Sequence, residues 1–254
     1  MYVYLYDNIV RQKQYEPVLK AIETRLTDYG IAGKIIRLQN FANAEMVVQD
    51  EMRRGAKTIV VVGNDITLGH VLSRAASCQV VFGFLPIGEE QNSIAEVVGI
   101  PLGAESCDVL ARRRKMRLDA GWFNNRYFIS QLHISPHRIT VRYDEKFVVK
   151  SATGKMELVV CNLQPFSWME KRREITVHPQ DGKLEAFVRP IVTTGLLRRE
   201  RYEEPSIFPF EEMLVTSTTP FTVTADGKVS KETKVTIRLA RNRIEMIVGK
   251  ERRF

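Results

Sequence analysis

Cysteine is scarce in this chain. Only Cys78, Cys107 and Cys161 occur in 254 residues. An odd count at wide spacing argues against a disulfide framework, and no C-x-x-C pair is present to hold zinc. The four histidines, His70, His133, His137 and His178, lack metal-ligand spacing as well. No apolar run approaches the roughly 20 residues that cross a bilayer. The opening MYVYLYDN is too short for a signal-peptide core and has no basic lead-in, so it reads as a first strand. Internal repeats, low-complexity linkers, a nucleophile elbow, a Walker loop and a Rossmann fingerprint are all missing. A cytoplasmic protein is the expectation.

What is present is ordinary apolar content and an excess of positive charge. Hydrophobic residues make up 44%, enough for one large domain or two modest ones with real cores. Net charge is +8 and the isoelectric point is near 9.4. The basic residues cluster at Arg112-Arg113-Arg114-Lys115, Lys171-Arg172-Arg173, Arg198-Arg199 and Arg252-Arg253. Such clusters attract polyanions, either nucleic acid or an anionic membrane surface. A solvated, arginine-rich surface is the alternative. No zinc-finger spacing or aromatic-interleaved motif accompanies the charge, which speaks against nucleic acid.

Two textures meet near residue 122. Over residues 1–121 strands alternate with helices: strand at Tyr2–Tyr6, helix at Tyr15–Tyr29, strand at Lys34–Leu38, helix at Ala44–Arg54, strand at Thr58–Val62, helix at Leu68–Ala76 and strand at Val80–Leu85. Helices follow at Ser93–Val98 and Glu105–Arg114, then a strand at Met116–Gly121. This pattern predicts a three-layer α/β domain with a mainly parallel sheet. Over residues 122–254 the helical period disappears. Short strands are punctuated by turn pairs such as Asp181-Gly182 and Asp226-Gly227, which predicts an antiparallel β-sandwich. The extreme C-terminus is free to pack back on the first domain.

The stretch TIVVVGNDITLGHVLSRA, Thr58 to Ala75, carries the most information. A buried-strand pattern stops at Gly63, a polar turn follows, and a helix begins. Such turns are where α/β proteins place phosphates and carboxylates. Gly63-Asn64-Asp65-Ile66-Thr67 resembles the GGDGT turn of the diacylglycerol kinase catalytic family. PIGEEQNSIAEVVGIP (Pro86–Pro101) resembles that family's second glycine loop. RLDAGWFNNRYFIS (Arg117–Ser130), VHPQDGKLEAFVRP (Val177–Pro190) and FTVTADGKVSKETKVTI (Phe221–Ile237) resemble its later landmarks, in order. The resemblance spans essentially the whole chain.

The resemblance implies ATP-dependent phosphoryl transfer to a lipid hydroxyl, with magnesium (Mg2+), in a cleft between two domains. Gly63, Asn64, Asp65 and Thr67 would line the nucleotide site, with Gly88, Glu89 and Asn92 as its second wall. Asp226 would be the catalytic base, and Asp65 a second catalytic carboxylate. The metal ligands are left open. Local sequence offers other readings: Asp65 as the cap of a helix starting at Leu68, and Asp226 and Asp181 as hairpin-turn residues.

The chain also departs from the family pattern. Ile66 stands at a family glycine, where an isoleucine would resist positive φ. Glu89 and Glu90 replace a Thr-Gly pair facing the phosphates, Lys228 replaces an acid beside Asp226, and the first-strand loop Tyr6–Gln14 has no glycine. The family's apolar helical insertion is missing too. Pro165–Met169 and Ile207–Phe210 are the apolar strips left, each either core or lipid groove. A catalytically inactive relative, binding a nucleotide weakly or acting at an anionic membrane, is the second reading. Sequence leaves the acceptor and the oligomeric state open.

Overall fold

The structure, a computed structural model, describes residues 1–38, 43–88, 92–144, 147–151, 154–168, 173–175, 177–194 and 199–254. It divides into two compact units, Met1–Leu118 with Asn242–Phe254, and Asp119–Arg241. The first is α/β with parallel strands and the second is antiparallel β.

In the first unit β1 (Tyr2–Tyr6), β2 (Lys34–Arg37), β3 (Thr58–Gly63) and β4 (Val81–Pro86) form a parallel sheet in the order β4-β3-β1-β2. All residues of β3 and β4 are buried, which explains their unbroken apolar runs: helices cover both faces, so no alternation is needed. The helices are α1 (Glu16–Asp28), α2 (Ala44–Arg53), α3 (Asp65–Ala75), α4 (Ser93–Val97) and α5 (Ser106–Arg112). Tyr4, Tyr6, Ile22, Leu26, Val60, Val62, Leu85 and Leu110 share one core. The C-terminal segment belongs here. Glu245 and Met246 pair in parallel with Val81 and Phe82, and the Gly249 amide donates to the Val98 carbonyl at 2.8 Å. A Cβ on Gly249 would lie 1.6 Å from the Gly99 carbonyl oxygen, so only glycine permits this approach.

One boundary needs correction. The helix expected from Leu68 begins at Asp65. Asn64 is extended and its side-chain oxygen accepts the Thr67 amide at 3.1 Å, so the N-cap comes directly after β3 and no free turn intervenes.

The second unit is built from β5 (Lys115–Phe123, which enters it at Asp119), β6 (Arg126–Phe128), β7 (Gln131–His137), β8 (Thr140–Tyr143), β9 (Phe147–Lys150), β10 (Lys155–Cys161), β11 (Phe166–Trp168), β12 (Arg173–Ile175), β13 (Leu184–Thr194), β14 (Arg199–Tyr202), β15 (Ser206–Phe210), β16 (Glu212–Ala225) and β17 (Lys228–Ile247, which leaves it after Arg241). The pairings described among β7–β10 and β13–β16 are antiparallel. β16 carries a register shift between Thr216 and Phe221. Before it β16 pairs with β8, and after it with β7. A strand that changes partners at a bulge closes a sandwich corner. Leu132, Ile134, Leu158, Val160, Phe187's neighbours Ala186 and Val188, Met213, Val223 and Ile237 fill the core.

By sequence pattern Glu212–Ser217 and Phe221–Thr224 read as two strands, as do Lys234–Leu239 and Arg243–Val248, but each pair lies in one strand, β16 and β17, while β11, β14 and β15 do not read as strands at all. Polar interruptions at Ser217–Thr219 and Arg241–Arg243 hide the continuity, and the edge strand β14 has no apolar alternation to betray it. The two apolar strips resolve in part. Phe166 is buried and stacks on Phe187 with ring centroids 4.2 Å apart, and Phe210 is core while Ile207 is exposed. Met169 lies outside the described residues.

Candidate active site

The carboxyl ends of parallel strands are where an open α/β sheet holds ligands. In the first unit three chain segments meet there. Asp7 follows β1, and its amide donates to the Val62 carbonyl at 3.1 Å. Asn64–Thr67 follows β3. The loop opening at Gly88 follows β4, and Ile87 donates to the Gly63 carbonyl at 2.8 Å.

Gly63 is required by contact. A Cβ there would meet the Thr67 hydroxyl oxygen at 2.8 Å and two Thr67 carbons at 3.0 Å. Thr67 is fully buried, and its hydroxyl donates to an Asp7 carboxylate oxygen while lying 3.1 Å from the Asn64 side-chain oxygen. Thr67 is therefore a post between the ends of β1 and β3. Ile66 stands in the second helical position with negative φ and is 47% exposed. The strain expected of an isoleucine there does not arise, because the N-capped helix asks for ordinary helical backbone.

Asp65 is 8% exposed and does not cap its own helix. Its carboxylate reaches across to α4, accepting from the Ile94 amide at 2.8 Å, the Ser93 hydroxyl at 3.1 Å and the Ala95 amide at 3.4 Å. Burial pushes its pKa up to about 6, against the opposing pull of those donors. One carboxylate thus joins the start of α3 to the start of α4 and satisfies orphan amides of the latter. Gly88, at φ +87°, takes the left-handed conformation, and a Cβ there would lie 3.0 Å from the Tyr15 hydroxyl oxygen. The Asn92 side-chain amide donates to the Gly88 carbonyl at 2.8 Å, and its buried oxygen has no partner among the described residues. Glu89, together with Glu90, lies outside the described residues.

In the second unit Asp226 and Gly227, with φ of 45° and 76°, make the tight turn between β16 and β17. The Asp226 carboxylate accepts the Ile129 amide at 2.7 Å, the Ser130 amide at 2.9 Å and the Ser130 hydroxyl. Burial raises its pKa and these donors lower it, with burial the larger influence. It is both a turn residue and a fixed, partly desolvated carboxylate. Asp181 sits in the turn before β13, and its carboxylate accepts the Lys183 amide at 2.9 Å.

Sequence reasoning missed three polar residues. Asp7 was signalled by its place at the end of a parallel strand. Asp119 and Asn162 are almost wholly buried: Asp119 accepts the Gly182 amide at 3.2 Å, and Asn162 donates to the Asp119 and Ile129 carbonyls, each at 2.9 Å. Glu185 lies in the same unit with its pKa pushed up to about 7 by burial, and the Asp181 charge adds to the rise. Partners drawn from distant strands left no local signal for this set.

Residues 4–123 match the diacylglycerol kinase catalytic domain. The resemblance carried by the sequence motifs is thus shown by the family model over the kinase-like first part of the chain. A diacylglycerol kinase from Bacillus anthracis str. Sterne superposes with a TM-score of 0.78 at 17% identity, over 98% of this chain and 97% of that one. A second structure from the same organism, described as a candidate diacylglycerol kinase, gives 0.79 at 16% identity over 98% and 97%. At such identity the likeness establishes the diacylglycerol kinase fold, with parallel strands first and antiparallel strands after. No curated protein matches the chain.

The donor set fits a phosphate better than a metal. The first-turn amides of Asp65 and Ile66 have no intrahelical acceptor, and the adjacent Asp65 charge is already met by donors from α4. Among the described residues no three of His, Cys, Asp and Glu gather as ligands. The described residues do not form a magnesium cage.

Proposed function

We propose that the chain is a divergent lipid kinase that moves the γ-phosphoryl group of ATP to a hydroxyl of a diacylglycerol-type lipid. The single observation that carries this reading is the Asp65 carboxylate. It ties the turn Gly63–Thr67 to the start of α4 at Ser93–Ala95, directly after the second segment that the family resemblance assigns to the nucleotide. In this reading the phosphates lie over the first turn of α3, where amide donors and the helix dipole meet negative charge. Gly88 and Asn92 shape the second wall. The first unit serves the nucleotide and the second the lipid.

ATP supplies the phosphoryl group. The lipid hydroxyl oxygen bonds to the γ-phosphorus, the bond from that phosphorus to the β–γ bridging oxygen breaks, and ADP leaves with the electron pair. Asp226 takes the hydroxyl proton. The Ile129 and Ser130 amides hold its carboxylate in place, and burial shifts its basicity upward. Asp65 acts as a positioning residue, since its oxygens are given to α4.

Two observations favour the second reading, a relative without catalysis: the Thr67 hydroxyl is wholly engaged by Asp7 and Asn64, and Asp226 already accepts three donors. Calorimetric titration with ATP and magnesium decides between them. Measurable heat and magnesium-dependent lipid phosphorylation support the kinase. No heat and no thermal shift at millimolar ATP would overturn it.

A further inference from the structure

One edge of the second unit exposes apolar side chains where a sheet edge ordinarily carries polar ones. Among the described residues β9 pairs with β8 alone, so its outer backbone edge is open. Two adjacent side chains there, Phe147 and Val148, are 54% and 52% exposed. Single apolar residues scattered over a surface need no explanation, but neighbours on an open edge do. Phe147 stacks on Tyr143 with ring centroids 5.0 Å apart, and Tyr143 lies 5.2 Å from Phe208, so the Phe147 ring is held at the rim of the core.

The outward sheet face beside this edge is basic. Val141 and Val215 are buried, so Thr140, Arg142, Leu214 and Thr216 point the other way. Pairing sets two rungs across β9, β8, β16 and β17. Lys150, Thr140, Thr216 and Lys234 form one, and Val148, Arg142, Leu214 and Thr236 the next. Arg142, Lys150 and Lys234 are exposed, with no hydrogen bond or ion pair among the described residues. These rungs contain no carboxylate, and Glu212 beyond them is matched by Arg238 at 3.0 Å. Lys150 and Lys234 stand roughly 14 Å apart at about 4.8 Å per strand.

Cations alone would suit any polyanion. The apolar pair narrows the choice. A nucleic-acid backbone would meet the cations and leave Phe147 and Val148 in water. A bilayer interface offers phosphates to the cations and an apolar layer beneath them. Lysine and arginine stems lie along that boundary while their charged heads stay with the phosphates. The open backbone edge of β9 also keeps partners at this depth, because headgroups and water remain within reach, whereas the hydrocarbon core has none.

We infer that the β8–β9 edge is a docking surface for an anionic bilayer, with Phe147 and Val148 entering the interface and Arg142, Lys150 and Lys234 meeting lipid phosphates. The surface lies within the second unit and involves neither the nucleotide turns nor Asp226. Its test therefore runs without ATP and is independent of the proposed phosphoryl transfer.

The full chain is sedimented with vesicles of phosphatidylglycerol and phosphatidylcholine, and with vesicles of phosphatidylcholine alone. Arg142→Gln/Lys150→Gln/Lys234→Gln should weaken binding to the anionic vesicles at least about tenfold, since each such cation near an anionic surface contributes roughly fivefold. Lys13→Gln/Lys20→Gln/Lys57→Gln, which removes equal charge from exposed positions of the first unit, should keep most of the binding. Phe147→Trp should add indole emission that brominated acyl chains quench. Circular dichroism checks each fold. If the first triple variant unfolds, Lys150→Gln/Lys234→Gln is read against Lys150→Arg/Lys234→Arg, which should bind as wild type does. The inference is overturned if both triple variants lose binding equally, if brominated lipid leaves the added indole unquenched, or if removing the three cations weakens binding to a DNA duplex but not to vesicles. It is also overturned if Phe147→Ser changes the oligomeric state and leaves vesicle binding intact, which would mark the edge as a contact between copies of the chain.

Discussion

Asp65 is a buried carboxylate whose pKa of about 6 lies above the ordinary carboxylate range. The folded state therefore holds the proton more tightly than the unfolded chain does. Between the ordinary carboxylate pKa and about 6, stability contributed by this group falls as pH rises, and above that it is level. The size is on the order of 1–3 kcal/mol at about 1.4 kcal/mol per unit. Asp65→Asn has no such proton to lose. Urea melts of both proteins should show the wild type's advantage over Asp65→Asn shrinking by that amount from pH 4 to pH 7. A pH-independent difference would remove the argument.

Asp7 is the second residue whose charge matters. Its carboxylate holds Thr67 and stands beside the turn proposed to hold phosphate. Asp7→Asn keeps an acceptor for the Ile9 amide, offers its own amide to Thr67, and lets the Thr67 hydroxyl turn to Asn64. The fold should survive, and ATP affinity should rise by about 1 kcal/mol, roughly fivefold, because a like charge has gone. Calorimetry on the two proteins checks this.

Among elements, the β16–β17 hairpin holds the proposed base. Asp226→Asn tolerates the left-handed backbone at φ 45° and retains part of the tie to Ile129 and Ser130. If Asp226 takes the proton, this variant should melt near wild type while turnover falls by about 100-fold or more. Equal losses of stability and activity would mark it as a turn residue alone. The C-terminal segment gives a sterically decided case. Gly249→Ala drives a Cβ into the Gly99 carbonyl, so α4 or the tail must move. A loss of about 1–3 kcal/mol or more is expected in thermal or urea unfolding.

Much of this was legible beforehand. The run Thr58–Val62 names a strand covered on both faces, and Asp226-Gly227 names a hairpin whatever surrounds it, because a two-residue turn needs two left-handed positions. The cap was less legible. Asn64 and Asp65 both suit an N-cap, and local sequence could not say that Asn64 caps α3 while Asp65 serves α4, whose first residue lies 28 positions further on. Asp119 and Asn162 were silent for the same reason.

For the molecule as a whole, charge is the reach of the chain beyond its contacts. Among the described residues no helix is long and apolar enough to cross a membrane. With a net charge of +8, the protein should sediment with anionic vesicles more than with neutral ones, and the difference should fade between about 50 and 500 mM salt as screening shortens from more than 10 Å to a few ångströms. Equal partitioning into both vesicle types would remove the proposed membrane contact. Exposed basic side chains such as Arg112 and Arg114 would then be a solvated surface.

By itself the sequence determined what short-range chemistry determines: which runs are strands, where turns fall, that the first part is α/β and the second antiparallel, and which family's landmarks recur in order. Tertiary structure decided how the turn after β3 is used. Its missing glycines proved compatible with an ordinary capped helix, since Ile66 points to solvent in helical backbone. Its threonine became a buried post held by Asp7, and its aspartate a tie to α4. Those roles depend on which residues lie within about 3 Å of one another across dozens of intervening positions, and hydrogen bonds at that range are set by packing rather than by spacing along the chain.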